Sequence, residues 1–199
     1  MLDSHRTNSI TAHTLIPTLC CVLCAQVIVG TLNRVAKGAD PTDSDVAIAD
    51  FEGDSYGDWK VSGWSGDAFT VPMKASDALA AGILGLEGNG LASTRNYENE
   101  LHAPWGNRVH GVIVSPVFTI ERDFINFLVG GGQYHWRVSV NLLDGEQAIR
   151  TTTGPGDKHL VWRSWDVSRL KGKTVRIRIF DCCFDESGFI LVDHVEQSN

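Results

Sequence analysis

From Ala47 onward, apolar residues recur with a period of two. In "WRVSVNLL", Trp136, Val138, Val140 and Leu142 fall on one side and Arg137, Ser139 and Asn141 on the other, the pattern of a strand buried on one face. "TVRIRIF" and "HLVWRSWDV" repeat it, so Arg176 and Arg178 read as the wet face of a strand and not as a phosphate site. Short apolar runs are separated by the turn signals "DGE" at 144, "TGPGDK" at 153 and "LKGK" at 170. This spacing predicts an all-β chain folded as a β-sandwich. "FINFLV" is apolar nearly throughout and suits a central strand. No window carries a sustained helical stripe; "ASDALAAGILG" comes closest and its glycines limit it to a single turn. Gly63 to His110 lacks regular alternation and is expected to be mostly loop.

The first 45 residues differ from the rest. Leu15 to Gly30 is an apolar run after Arg6 and two histidines, and the polar "KGADPTDSD" follows it. That order reads as a secretory signal peptide or an uncleaved membrane anchor plus linker, helical or disordered, ahead of one sandwich domain at 46–199. The run is shorter than the roughly 20 residues of a membrane span. A secreted or periplasmic protein, membrane-anchored only if the leader stays, is therefore expected. Three of the five cysteines lie in the leader, which leaves Cys182 and Cys183. Adjacent cysteines make neither a disulfide scaffold nor a zinc site, and free thiols are expected. A formal net charge of -7 with no basic stripe excludes a nucleic-acid surface.

"VWRSWDVSRLKGKTVRIRIFD" looks like the second half of a galactose-binding-like jelly roll. Joined by "IADFEGDSYGDWKVSG", "SPVFTIERDFINFLVGGG", "VNLLDGEQAIRTTTGPGDKHLVWRSWDVS" and "ILVDHVEQS", it resembles a non-catalytic β-sandwich module. That module accompanies the catalytic domain of exported levanases and fructosidases of glycoside hydrolase family 32. The resemblance runs from about Ile48 to Ser198 and implies carbohydrate binding, with a fructan-like polysaccharide as ligand. Between Gly63 and Leu84 the chain keeps mainly Ala68 and Phe69 of the module's pattern, and "RNYENELHAPWGNRVHG" looks like extra loop. Near the end, Ser187 and Phe189 stand where the module has a tryptophan and a histidine, so the identity of the glycan does not carry over.

Catalysis is not expected. The Asn-Asp-Pro-Asn stretch that holds the family's nucleophile is absent, and the chain is too short for the five-bladed catalytic propeller. His135 has no serine or cysteine in a nucleophile-elbow context to serve, and "GGG" precedes no phosphate-binding helix.

Sugars are held by stacking their C–H faces on aromatic rings and by hydrogen bonds from polar side chains. Tyr134, His135 and Trp136 follow the glycines at 130–132, and Asn141 and Arg150 lie on the strands beyond; these five form the candidate carbohydrate site. The alternation places Trp136 on the core side with Val138, which makes Tyr134 and His135 the stronger members. Trp59, Trp64 and Trp105, in or beside loops, compete for the same role, whereas Trp162 and Trp165 are expected in the core. Asp50, Glu52 and Asp54 open the domain and Asp193 lies on its last strand. First and last strands of a jelly roll lie together, so Glu52 and Asp193 are candidate oxygen ligands for a structural Ca2+. The competing reading is a structural domain that docks to a cell-surface protein; a third is a family 32 relative in name that lacks the propeller.

Overall fold

The computed structural model describes residues 44–63, 70–95, 111–183 and 188–199. The chain divides into a unit Met1–Gly38 and a unit Ala39–Asn199, and every described residue belongs to the second. The expected leader, Leu15 to Gly30 included, lies outside the described residues.

Twelve strands, one short α-helix and a 3-10 helix at Ser168–Leu170 are present among them: β1 (Val46–Ala49), β2 (Lys60–Gly63), β3 (Met73–Lys74), α1 (Ala75–Ala80), β4 (Gly90–Ser93), β5 (Gly111–Val114), β6 (Phe118–Thr119), β7 (Phe124–Gly131), β8 (Val138–Asp144), β9 (Gln147–Thr152), β10 (Asp157–Asp166), β11 (Thr174–Asp181) and β12 (Ile190–Ser198). They form two antiparallel sheets. The first runs β10-β7-β12-β4-β3, with β1 also on β12; the second runs β2-β5-β11-β8-β9, with β6 also on β11. The fold is the expected all-β sandwich, and its first and last strands do pair, Val46 opposite Gln197.

The alternation seen in the sequence builds the core. Ile125, Phe127 and Val129 of β7 and Val192 and Val195 of β12 meet Val138, Val140 and Leu142 of β8 and Ile177 and Ile179 of β11, all buried. β7 is apolar on both faces for a separate reason. Its outward Leu128 joins Leu91, Leu160, Leu191 and Phe189 under Ala78 of α1 and Ile83, a second small core on the outside of the first sheet. α1 is the single helical turn expected near Ala75, and within the supposed loop of Gly63 to His110 it is flanked by β3 and β4.

One long side of the sandwich is tied shut between β9 and β10. Arg150 Nη2 donates to the Asp166 carbonyl at 2.9 Å, and Trp165 Nε1 donates to Thr152 Oγ1 at 2.7 Å. At one end, Thr94 Oγ1 donates to Asp181 Oδ2 at 2.6 Å and so links the first sheet to the second. The opposite long side holds a cavity of about 540 Å³ between β1, the turn from Asp50 to Trp59 and the link from Ser115 to Thr119.

Candidate functional site

β7 ends on Gly131, at φ 99, a backbone conformation that glycine tolerates and that turns the chain off the strand. The residues after it form a turn fastened at several points. Tyr134 O accepts from Arg137 N at 2.9 Å and Val138 N at 2.7 Å, Gly132 N donates to Phe189 O at 2.9 Å, and Cys182 N donates to Arg137 O at 2.7 Å. The turn therefore holds its side chains out on a fixed backbone. Tyr134 is 47% exposed and Trp136 80%; His135 is exposed as well, its ring edge-on to Trp136 with centroids 6.4 Å apart.

Trp136 is thus not in the core with Val138. The alternation begins only where β8 begins, at Val138, and Trp136 belongs to the turn before it. The exposed aromatic–imidazole tripeptide stands at the end of the sandwich where β4, β5, β8 and β11 meet the chain connections.

Asn141 and Arg150 do not join this group. In the β8–β9 register Asn141 faces Thr151 and Leu142 faces Arg150, so the two side chains leave opposite faces of the sheet. Asn141 is 3% exposed, bonded to Ser139 Oγ at 3.0 Å and to Thr151 Oγ1 at 2.9 Å. The Arg150 guanidinium is spent on the main-chain carbonyls of Ile149 and Asp166. Both read as structural in their surroundings.

The other tryptophans are sorted by the same geometry. Trp165 is buried against Phe127, centroids 4.6 Å apart, as expected. Trp162 departs from expectation and is 45% exposed. The two are three residues apart in one strand, so they must face opposite ways; that parity was the signal available in the sequence. Trp59 packs on Phe51, centroids 5.3 Å apart, beside the lateral cavity. Trp64, Trp105 and Ser187 lie outside the described residues. Phe189, at the position where the resembled module has a histidine, is buried, with the Arg95 guanidinium over its ring at 4.8 Å.

Glu52 and Asp193 are brought to one turn, Gly85 to Asn89. Asp193 Oδ2 accepts from Glu87 N at 2.9 Å and Oδ1 from His194 N at 2.7 Å. Both Glu52 oxygens accept from Asn89 N, at 2.9 and 2.8 Å. Gly88, at φ 71, lies so close that a Cβ there would collide with the Glu52 carboxylate. Asp193 is 1% exposed; burial, with the negative charge of Glu52 adding to it, pushes its carboxyl up to about 6 against the N–H bonds and His194. Main-chain N–H groups of this one turn thus hold both carboxylates. Among the described residues no set of three or more His, Cys, Asp or Glu side chains is grouped to hold a metal, so the six to eight oxygens of a calcium shell would have to be completed by main-chain carbonyls and water. Asp54 and Asp50 take no part: Asp54 pairs with Lys74 at 2.6 Å on the surface, and Asp50 Oδ1 accepts from Glu52 N at 3.2 Å.

Cys183 is buried and Cys182 partly so, both as free thiols. Burial, with Asp181 nearby, raises the Cys182 thiol, which argues against a reactive thiolate. Among the described residues no helix is long and apolar enough to cross a membrane.

No family model matches the chain. A curated relative, the Aspergillus rugulosus protein ecdE, described as a glycosyl hydrolase, is 33% identical over 186 residues, covering 87% of this chain and 25% of the relative. The chain thus spans about a quarter of the length of that relative. Among solved structures, the K2 cleaved adhesin domain of Lys-gingipain superposes with a TM-score of 0.50 at 12% identity, covering 78% of this chain and 100% of that one. TmCBM61, solved in complex with β-1,4-galactotriose, gives a TM-score of 0.48 at 11% identity, covering 77% of this chain and 99% of that one. At these identities the adhesin likeness speaks for the β-sandwich fold alone.

Proposed function

We propose that this chain is a carbohydrate-binding β-sandwich with no catalytic centre of its own, and that its ligand, a fructan-like polysaccharide, docks on Tyr134, His135 and Trp136. The observation that carries the reading is the 80% exposure of Trp136 on a turn fastened by main-chain bonds. A rigid indole in water retains its apolar area for a partner and loses little side-chain entropy on binding. Tyr134 beside it offers a second ring and a hydroxyl, and His135 offers ring nitrogens for sugar hydroxyls. The likeness of the chain to a quarter of a glycosyl hydrolase supports an accessory role beside a catalytic domain. The resemblance to family 32 accessory modules narrows that role to fructans. An exported setting fits such a role, and Glu52 and Asp193 would hold a structural Ca2+ that fixes the Gly85–Asn89 turn to the first and last strands.

Isothermal titration of the purified protein against levan, inulin, fructose and unrelated polysaccharides, with calcium and then with chelator, tests this reading. Saturable heat with levan or inulin, at an affinity that falls at least tenfold in a Tyr134→Ala, Trp136→Ala variant of unchanged fold, is expected. A folded protein that gives no heat with any glycan would overturn the carbohydrate reading in favour of protein docking.

A further inference from the structure

The first sheet shows solvent a face that the rim does not use. In β10, β7 and β12 the core-facing residues are Trp165, Ile125, Phe127 and Val195, so the outward row is Trp162 and Ser164 on β10, Phe124 and Asn126 on β7, and Glu196 and Ser198 on β12. Leu128 and Asp193 continue this row but are covered by the turn at Gly85–Asn89. Below that turn the face is open: Trp162 is 45% and Phe124 38% exposed. Register places Trp162 opposite Leu128, four residues above Phe124 on the neighbouring strand, which separates the two rings by about 14 Å at ordinary strand rise and spacing. Ser164, Asn126, Glu196 and Ser198 lie between and beside them, with Asn126 Nδ2 bonded to Ser198 Oγ at 2.8 Å.

The upper end of this face is specially built. β12 has a bulge between Asp193 and Glu196, and His194 sits in it at φ 47, a left-handed conformation that costs a non-glycine residue free energy. The bulge turns His194 outward, where its ring meets Trp162 edge-on with centroids 5.5 Å apart. Its two nitrogens face carboxylates, Nδ1 towards Glu87 Oε2 at 3.7 Å and Nε2 towards Glu196 Oε2 at 3.5 Å. The indole is thereby braced without being buried. Two exposed rings separated by hydroxyls, an amide and a carboxylate are not a continuous apolar patch of the kind that protein interfaces use. They suit a polyol chain, whose apolar faces meet the rings and whose hydroxyls meet the polar groups between. Glu87, Glu196 and Asp166 around the face set its charge against acidic glycans.

We propose that the outer face of β10, β7 and β12 is a second carbohydrate surface, with Trp162 as its stacking platform and a neutral polysaccharide lying across the strands as its ligand. It rests on the carbohydrate reading above but uses none of the same residues, so a long chain can engage the rim and the face while a short oligosaccharide engages only one. The test compares levan, inulin and β-1,4-galactan, each as polymer and as short oligosaccharide, on the full protein, on Trp162→Ala and on Ser164→Arg. Ser164→Arg blocks the face without removing a packed side chain and stands in for Trp162→Ala should that variant misfold.

Both variants are expected to weaken polymer binding roughly tenfold, the worth of one aromatic contact, while the Tyr134→Ala, Trp136→Ala variant keeps residual polymer binding that Trp162→Ala then removes. Unchanged polymer affinity in folded Trp162→Ala or Ser164→Arg would overturn the second surface and leave the rim reading standing. A wild-type protein that binds no glycan overturns both, and Trp162-dependent self-association in its place would mark the face as a protein interface.

Discussion

Asp193 accepts main-chain N–H bonds on both oxygens and yet holds its proton to about pH 6, because burial and Glu52 outweigh those bonds. The linkage follows from its raised value. An unfolded aspartate loses its proton near 3.8, so from about pH 4 to about pH 6 the folded form binds more protons than the unfolded form, and stability falls as pH rises across that window. Above it the penalty is complete, about 2–3 kcal/mol from this group. In chelator, the wild type should lose that much relative to Asp193→Asn between pH 4 and pH 6.5, measured by denaturant melts. Calcium should reverse the sign at pH 7.5: it takes the ionised pair, raises the melting temperature of the wild type and leaves Asp193→Asn and Glu52→Gln unmoved. No calcium response at pH 7.5 would remove the proposed ion. That Glu52 and Asp193 reach the same turn follows from the pairing of the first and last strands, an adjacency expected of a jelly roll. The separation of Asn141 from Arg150 was not legible in the sequence, because it depends on a register in which Leu142, not Asn141, faces Arg150.

At the scale of elements, the period of two located β8, β10 and β11, and the continuous apolar run "FINFLV" located β7 as a central strand; each pairs within a sheet. It failed at β4, "GLAS", where small residues on both faces leave no contrast to read, although all four are buried. It also overran the start of β8 and so put Trp136 in the core, because a turn has no period. The glycines at the end of β7 were legible as a corner, and the structure supplies their reason. A Cβ on Gly131 would collide with the Phe189 carbonyl at a φ that side chains avoid, and one on Gly154 would collide with the Gly131 carbonyl. Gly131→Ala should therefore cost about 2 kcal/mol or more and displace the turn that carries Tyr134 and Trp136. Denaturant melts together with titration of the variant would measure both effects. A neutral substitution would mean that the corner is looser than this packing implies.

For the molecule as a whole, β-sandwich class followed from strand spacing, since many short half-buried strands have few other ways to bury one face. Strand order did not follow, because pairings such as β7 with β12 and β11 with β5 join distant segments that carry no local signal. The same long-range pairing governs how the fold comes apart. Both sheets contribute to one core, and Arg150 to Asp166, Trp165 to Thr152 and Thr94 to Asp181 bond one sheet to the other at a long side and at an end. Neither sheet can leave without exposing the inner face of its partner. The fragment Ala39–Asn199 should then unfold in a single transition, with tryptophan fluorescence and far-ultraviolet circular dichroism giving the same midpoint. Among the described tryptophans, the fluorescence change on unfolding comes chiefly from Trp165, buried on Phe127 between the sheets, and Trp59, packed on Phe51, whereas dichroism reports the strands themselves. If fluorescence moved at lower denaturant than dichroism, the sheets would be separating before they melt, and the bonds across the sandwich would be weaker than the shared core requires.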